Sequence, residues 1–195
     1  HVDANTVEAD IVSLRIAELL AEDHFLLSPS TLLGIHRHLF TDVFSEEIPV
    51  GKFRKVNITK KEPVLDGDTV QYSSHFMIQD TLVYDFEREQ NFSYAGLTNE
   101  QKALHAMTFL ADIWQVHPFR EGNTRTVAVF GIQYLRKLGF HIDNSLFSEH
   151  AAYFRNALVL YHYHGEKQDK QFLKMFFENL QVGKKNVLMD IDMYA

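Results

Sequence analysis

Apolar residues recur every three or four positions through most of this sequence, which is the spacing of one face of an α-helix. Ser28 followed by Pro29 is typical of a helix start, because serine caps free backbone N–H groups and proline fits the first turn. Thr98 and Gln101 have the spacing of a capping box, which predicts a second start. The chain is therefore predicted to be all-α, or mainly helical. The predicted helices cover about 8–22, 29 to at least 39, 98 to just before 118, 124–138, 148–162 and 169–180.

One stretch breaks the helical spacing. In residues 53–59, Val56 and Ile58 alternate with polar side chains, which is the period of a β-strand. The Asp-Gly pair at 66–67 is typical of a tight hairpin turn, and 69–72 has the composition of a returning strand. We therefore expect a helical bundle that carries one small β-hairpin.

Composition excludes several classes of protein. The chain has 195 residues and no cysteine, so it can bury a core without disulfides and has no thiolate chemistry. Its net charge of −7 has the wrong sign for a protein that binds the nucleic-acid backbone. No apolar run approaches the ~18 residues of a membrane span, and the amino terminus lacks a signal-peptide pattern. We expect one cytoplasmic domain over residues 1–195, with no nucleic-acid or membrane partner.

The stretch HPFREGNTRTVAVF, residues 117–130, lies between two predicted helices and contains an anion site. Gly122, Asn123 and Thr124 lead into a helix amino terminus, where free backbone N–H groups and the helix dipole favour negative charge. Arg125, on the first turn, adds a forked cation that suits phosphate oxygens.

Two further groups of this stretch suit phosphoryl chemistry. Glu121 offers a carboxylate for a divalent metal that bridges protein and phosphate. His117, at the end of the preceding helix, is a side chain that can take a proton near neutral pH. Alone, His117 is as easily a helix cap, and Glu121 with Arg125 an ordinary helix ion pair. Their joint occurrence in this order favours a phosphoryl- or nucleotidyl-transfer site.

The same stretch resembles the Fic signature, His-x-Phe-x-(Asp/Glu)-Gly-Asn-x-Arg-x-x-Arg. The matching positions are His117, Phe119, Glu121, Gly122, Asn123 and Arg125. Outside the signature, the segments that resemble family members are 35–40, 51–60, 153–158 and 172–180. The resemblance thus covers nearly the whole chain. It implies a Fic/Doc-like helical bundle with a core at about 30–160, a β-hairpin flap at about 52–73, and a carboxyl-terminal helix and tail at about 168–195.

The resemblance implies a bacterial, toxin-like protein adenylyltransferase, which transfers AMP from Mg-ATP to a Ser, Thr or Tyr hydroxyl of a target protein. In this interpretation His117 is the general base, Glu121 holds Mg²⁺ against the phosphates, and Phe119 anchors the loop in the core. The phosphate-binding groups would be Gly122, Asn123, Thr124 and Arg125.

Two other regions receive roles from the resemblance. Ile58, Thr59 and Lys60 would position the target, whose backbone would add a strand to the flap edge. Tyr153 and Asn156 are candidates for an adenine pocket, although Tyr153 suits the hydrophobic core equally well.

The chain departs from the signature at Ala128, which replaces its last arginine. In the family that arginine contacts the terminal phosphate and pairs with an inhibitory glutamate. Losing a charge-assisted contact of ~1.5–3 kcal/mol is expected to weaken ATP binding. A separate inhibitory protein, or antitoxin, is then a candidate partner, and a homo-oligomer is left open.

Ala128 also keeps two alternatives open. Doc-type protein kinases, which transfer the γ-phosphoryl group, share the missing arginine, whereas a catalytically degenerate domain would only bind nucleotide or a partner. Gly122 favours AMP transfer, because a residue without Cβ allows close approach of the backbone to the phosphates.

The chain has eleven histidines, which raises the question of a histidine metal site. His36 and His38 are two residues apart, as are His162 and His164, so each pair would point to different faces of a helix. We therefore expect structural or surface roles for these side chains.

Overall fold

The computed structural model describes residues 4–195, and within that range the chain forms eight α-helices and three short 3₁₀ turns. The α-helices are α1 (Ala4–Leu20), α2 (Pro29–Phe40), α3 (Ile78–Gln90), α4 (Asn99–Val116), α5 (Asn123–Lys137), α6 (Ser145–Glu149), α7 (Ala151–His162) and α8 (Gln171–Gln181). The 3₁₀ turns are Pro63–Leu65, His75–Met77 and Asp190–Tyr194. No helix in these 192 positions combines the length and apolar character needed to cross a bilayer.

The helix starts that the sequence predicts are confirmed. Ser28 caps α2 by accepting from the backbone N–H of Ser30, with Pro29 in the first turn. At α4, the Gln101 N–H donates to Thr98 Oγ1 at 3.2 Å, and the Thr98 N–H donates to Gln101 Oε1 at 2.9 Å. This reciprocal pair is the capping box expected from the sequence.

Helix α4 lies at the centre of the bundle. It packs against α3, α5, α7 and α8, which bury residues along its whole length. Its last turn carries Trp114, which is fully buried and donates from its indole nitrogen to Thr124 Oγ1 at 3.0 Å. The carboxyl end of α4 is therefore held rigidly beside the start of α5, and the loop 117–122 joins the two.

The predicted β-hairpin is wrong. Residues 52–73, which we call the flap, contain no β-strand in the structure. The turn itself is present: Asp66 and Gly67 both have positive φ, and the Gly67 N–H donates to the carbonyl of Glu62 at 2.9 Å. Apart from the 3₁₀ turn Pro63–Leu65, the segments beside the turn have no regular secondary structure.

Arg54 gives the physical reason for the missing strand. Its guanidinium donates to the carbonyls of Val56 at 2.8 Å and Ser73 at 2.5 Å, one on each segment of the flap. It also donates to the carbonyls of Val116 at 3.1 Å and His117 at 2.7 Å. A buried side chain thus satisfies flap carbonyls that would otherwise be open to N–H groups of a neighbouring strand. Beyond its turn, the flap is fastened to the end of α4.

Candidate active site

The predicted base, the predicted metal carboxylate and the predicted phosphate-binding residues meet in one cleft of about 340 Å³. The cleft lies between the start of α5, the flap and the start of α7. Its lining contains His117, Glu121 and the 122–125 segment. It also contains two cations from elsewhere, Lys60 from the flap and Arg155 from α7.

His117 stands at the end of α4 in a left-handed backbone conformation, with φ 52° and ψ 60°. Its Nδ1 lies 3.0 Å from the carbonyl oxygen of Trp114. Because a carbonyl only accepts, Nδ1 carries the proton and Nε2 holds a free lone pair. Nε2 has no hydrogen-bond partner among the described residues. The tautomer is therefore the one that a general base needs.

The surroundings of His117 keep its ring neutral. The side chain is buried, which lowers its pKa well below the usual range, and the positive charge of Lys60 lowers the pKa further. The ring stacks on Tyr72 with centroids 3.9 Å apart and meets the edge of Trp114 at 5.0 Å. At neutral pH the imidazole is an unprotonated acceptor in a fixed orientation.

The loop between His117 and α5 is closed by the side chain of Asn123. Its Nδ2 donates to the Phe119 carbonyl at 2.7 Å, and its Oδ1 accepts from the Phe119 N–H at 2.9 Å. Asn123 is buried, so its amide shapes the loop and only its backbone faces an anion. Phe119 in turn stacks on His36 with ring centroids 3.9 Å apart, which anchors the loop as expected from the sequence.

Gly122 precedes α5 with φ 85°, a conformation that side chains with a Cβ rarely adopt. A Cβ at this position would also lie 2.5 Å from the buried ring of Phe40. No side chain caps the start of α5, so its first backbone N–H groups are left for another acceptor. Together with the helix dipole, these groups are suited to bind an anion beside His117.

Charged side chains surround this anion site. Arg125 is exposed, with its guanidinium 5.0 Å from the centre of the Phe40 ring. Glu121 is also exposed, and its Oε2 lies 3.9 Å from Lys60 Nζ. Among residues 4–195 no group of three His, Asp or Glu side chains is placed to hold a metal. Glu121 offers a carboxylate of the kind that Mg²⁺ uses, since that ion binds through one or two carboxylates plus substrate phosphates.

The structure places other predicted site residues outside the cleft. Tyr153 is buried in the core and donates to the Phe172 carbonyl at 2.9 Å. Asn156 is half-buried on α7 and is not part of the cleft lining. Ile58 and Thr59 line a separate groove on the flap. Of the three flap residues, Lys60 alone reaches the cleft.

Sequence reasoning missed three residues that form the site: Arg155, Arg54 and His36. Arg155 lies between Tyr153 and Asn156, the two residues proposed for the adenine pocket. It is the one charged residue of the segment 153–158, and this charge was the available signal. Arg54 lies in the segment 53–59, which was predicted to be a β-strand from its alternating side chains. His36 was expected to be structural, but the residues next to it in the sequence give no indication of its partners, Gly51 and Glu121.

His36 fixes the backbone of Glu121, the candidate metal ligand. Its Nδ1 accepts from the Gly51 N–H at 2.9 Å, so its Nε2 is protonated and donates to the Glu121 carbonyl at 2.8 Å. Burial lowers the pKa of His36 to about 4. The contact with Gly51 needs the neutral ring, because a protonated Nδ1 could not accept.

We expect the protein to lose stability as the pH falls from about 6.5 to about 4. The pKa values of His36 and His162 are both lowered to about 4 by burial, from 6.5. In that window the unfolded chain binds more protons than the folded one, so each histidine costs up to ~3 kcal/mol. Urea unfolding at several pH values measures this, with His36→Gln and the exposed His24→Gln as a pair. His36→Gln should flatten the dependence and His24→Gln should not; equal slopes in all three proteins would contradict the prediction.

Known proteins resemble this chain in sequence and in fold. Residues 26–135 match the model of the Fic/DOC family. The chain is 32% identical over 112 residues to the protein adenylyltransferase VbhT of Bartonella schoenbuchensis, covering 56% of this chain and 21% of that protein. It is 32% identical over 122 residues to the probable protein adenylyltransferase y4lH of Sinorhizobium fredii, covering 57% of this chain and 54% of that protein. The matches thus span about half or less of these relatives.

Solved structures share the fold at lower identity. The BepC effector protein of Bartonella tribocorum, solved with bound AMPPNP, superposes with a TM-score of 0.70 at 20% identity, over 91% of this chain and 85% of that one. The amino-terminal Fic domain of a Bartonella quintana effector, solved with bound ADP, gives 0.71 at 21% identity, over 91% and 84%. At identities this low, the superpositions establish a shared helical architecture and nothing about the reaction.

Proposed function

This chain belongs to the Fic/DOC family, and from that premise we propose that it is a protein adenylyltransferase that transfers AMP from Mg-ATP to a hydroxyl side chain of another protein. One observation carries the proposal: a neutral His117, whose Nε2 is unpaired, lines the same cleft as the uncapped start of α5. A base and a phosphate site side by side are what attack of a hydroxyl on a phosphorus atom requires. The names of the two curated relatives support the same reaction class.

The proposed reaction is a displacement at the α-phosphorus of ATP. The target hydroxyl oxygen forms a bond to that phosphorus as the bond to the α,β-bridging oxygen breaks, and pyrophosphate leaves. His117 Nε2 takes the hydroxyl proton, and the Nδ1–H···Trp114 contact keeps the imidazolium oriented. General-base assistance of this kind is typically worth ~10²–10⁴ in rate.

The remaining residues bind and orient the phosphates. The first N–H groups of α5 and the Arg125 guanidinium supply donors, and Gly122 lets the phosphates approach the backbone. Glu121 would hold Mg²⁺, which neutralises phosphate charge as it builds up on the leaving group. Gly122 supports AMP transfer over γ-phosphoryl transfer, whereas Ala128 is the one observation that favours the kinase alternative.

The target protein and its control are part of the same proposal. Ile58 and Thr59 lie beside the cleft residue Lys60, so an extended target segment that pairs with the flap backbone would reach His117. With Ala128 at the position of the second arginine, inhibition through a salt bridge to that arginine has no partner here. We therefore assign inhibition to a separate protein.

The test is a labelling assay with ATP carrying label on either the α- or the γ-phosphate. The protein is incubated with Mg²⁺ and a cytosolic extract, and protein-bound label is measured. Label from the α-position alone supports AMP transfer. Label from the γ-position alone would replace the proposal with a protein kinase. If wild type binds Mg-ATP but transfers neither label, the domain is a nucleotide-binding module instead.

A further inference from the structure

Helix α5 offers the phosphates of ATP one basic side chain near the cleft, Arg125. Ala128, one turn later, is 8% exposed and belongs to the hydrophobic core. The other basic residues of α5 stand in its last turn, roughly 16 Å further along the axis. Any second cation for the phosphates must therefore come from another element of the fold.

Lys60 reaches the cleft from the flap. Its side chain is 27% exposed, and its Nζ lies 3.9 Å from Oε2 of Glu121, the carboxylate assigned to Mg²⁺. The charge of Lys60 acts on the base as well, since it lowers the pKa of His117. Lys60 thus lines the same cleft as the proposed metal carboxylate and the proposed base.

An ion pair fixes the part of the flap that carries Lys60. Glu62, two residues further on, is 1% exposed and binds Arg155 of α7 through two parallel contacts of 2.6 and 2.7 Å. The Glu62 N–H also donates to the Asp68 carbonyl at 2.9 Å. A bidentate arginine–carboxylate pair is geometrically specific, so it holds this segment in one position against α7.

We propose that Lys60 binds the β- and γ-phosphates of ATP in place of the arginine that the chain lacks at position 128, and that the Glu62–Arg155 ion pair positions Lys60 over the cleft. The proposal rests on the proposed function, because it takes Mg-ATP as the ligand. It also assigns a nucleotide-binding role to a residue that the family resemblance placed in target positioning.

Binding measurements on the full chain test the role of Lys60. Lys60→Met should weaken binding of Mg-ATP by about 10- to 100-fold, since a charge-assisted contact to the phosphates is lost. AMP, which has no β- or γ-phosphate, should bind within twofold of wild type. Lys60→Arg should retain most of the ATP affinity. Lys61→Met is the matched control, because it removes the same charge from the exposed neighbouring residue.

Two results would overturn the role of Lys60. One is ATP affinity that Lys60→Met leaves unchanged. The other is an equal loss in Lys60→Met and Lys61→Met, which would mean a long-range charge effect without contact. Because the readout is binding, it is independent of turnover. If the wild-type protein binds Mg-ATP but transfers no α-label, the proposed adenylyltransferase activity is wrong, and the role of Lys60 in ATP binding is unaffected.

The positioning role of the ion pair is tested by a double-mutant cycle on Arg155 and Lys60. Arg155→Met should raise KM for ATP much more than it lowers kcat, and Arg155→Lys should recover part of the loss. In the Lys60→Met background, Arg155→Met should add less than a twofold further loss of ATP affinity, because it acts through Lys60. Fully additive losses would show that Arg155 does not act through Lys60.

Discussion

Replacing His117 by asparagine should abolish detectable AMP transfer and leave the fold intact. The unpaired Nε2 is the only atom of this side chain placed to take a proton, since Nδ1 is bound to the Trp114 carbonyl. An asparagine amide can still donate to that carbonyl, and asparagine tolerates the left-handed backbone that His117 adopts. The variant therefore removes the base while preserving its support. We expect a rate loss of ~10²–10⁴, in line with general-base catalysis.

The measurement is the rate of α-label transfer at saturating Mg-ATP, with thermal unfolding as the check on folding. His117→Ala should behave in the same way, and exposed His141→Asn should leave the rate unchanged. Transfer by either His117 variant near the wild-type rate would remove His117 from the role of base.

Replacing Arg54 by methionine is expected to cause the largest loss of stability, about 3–5 kcal/mol of unfolding free energy. The Arg54 side chain is 2% exposed and donates to carbonyl oxygens on the flap and on the last turn of α4. Methionine fills similar space but leaves those carbonyls without a donor. Each such buried group costs ~1–3 kcal/mol, and partial exposure of the flap carbonyls lowers the sum.

Urea unfolding compares Arg54→Met with Lys55→Met, which removes the same charge from the exposed neighbouring residue. Lys55→Met should lie within ~0.5 kcal/mol of wild type, as surface substitutions usually do. Arg54→Lys should be intermediate, because an ammonium cannot reproduce the planar fork. A loss below ~1 kcal/mol in Arg54→Met would show that the carbonyls find other donors and that the flap is not held by this side chain.

Buried polar side chains hold the backbone of the candidate site in place. Arg54 binds the His117 carbonyl, His36 binds the Glu121 carbonyl, and Asn123 closes the loop between them. All three are buried and polar. Buried groups of this kind are costly unless fully bonded, so they lock the loop in one conformation. The groups proposed for chemistry are left facing the cleft.

Two helix starts and the grouping of the candidate site residues followed from the sequence by itself. The starts of α2 and α4 were predicted from Ser28-Pro29 and from Thr98 with Gln101, because capping acts between residues two or three positions apart. The grouping of His117, Glu121 and Arg125 was predictable for the same reason, since a short loop between two helices keeps its residues together. The resemblance of these residues to the Fic signature predicted the family, and the match of residues 26–135 to the Fic/DOC model confirms it.

Tertiary structure alone decided how the flap is held and which cations enter the cleft. Arg54 contacts carbonyls of residues up to 63 positions away, and Glu62 and Arg155 are 93 apart. Strand alternation around Arg54 predicted a hairpin, but the burial of its guanidinium against α4 satisfies the carbonyls differently. Tyr153 was equally suited to a pocket and to the core, and packing against α8 placed it in the core. Periodicity reports which face of an element is apolar; which distant element covers that face is set only when the whole chain packs.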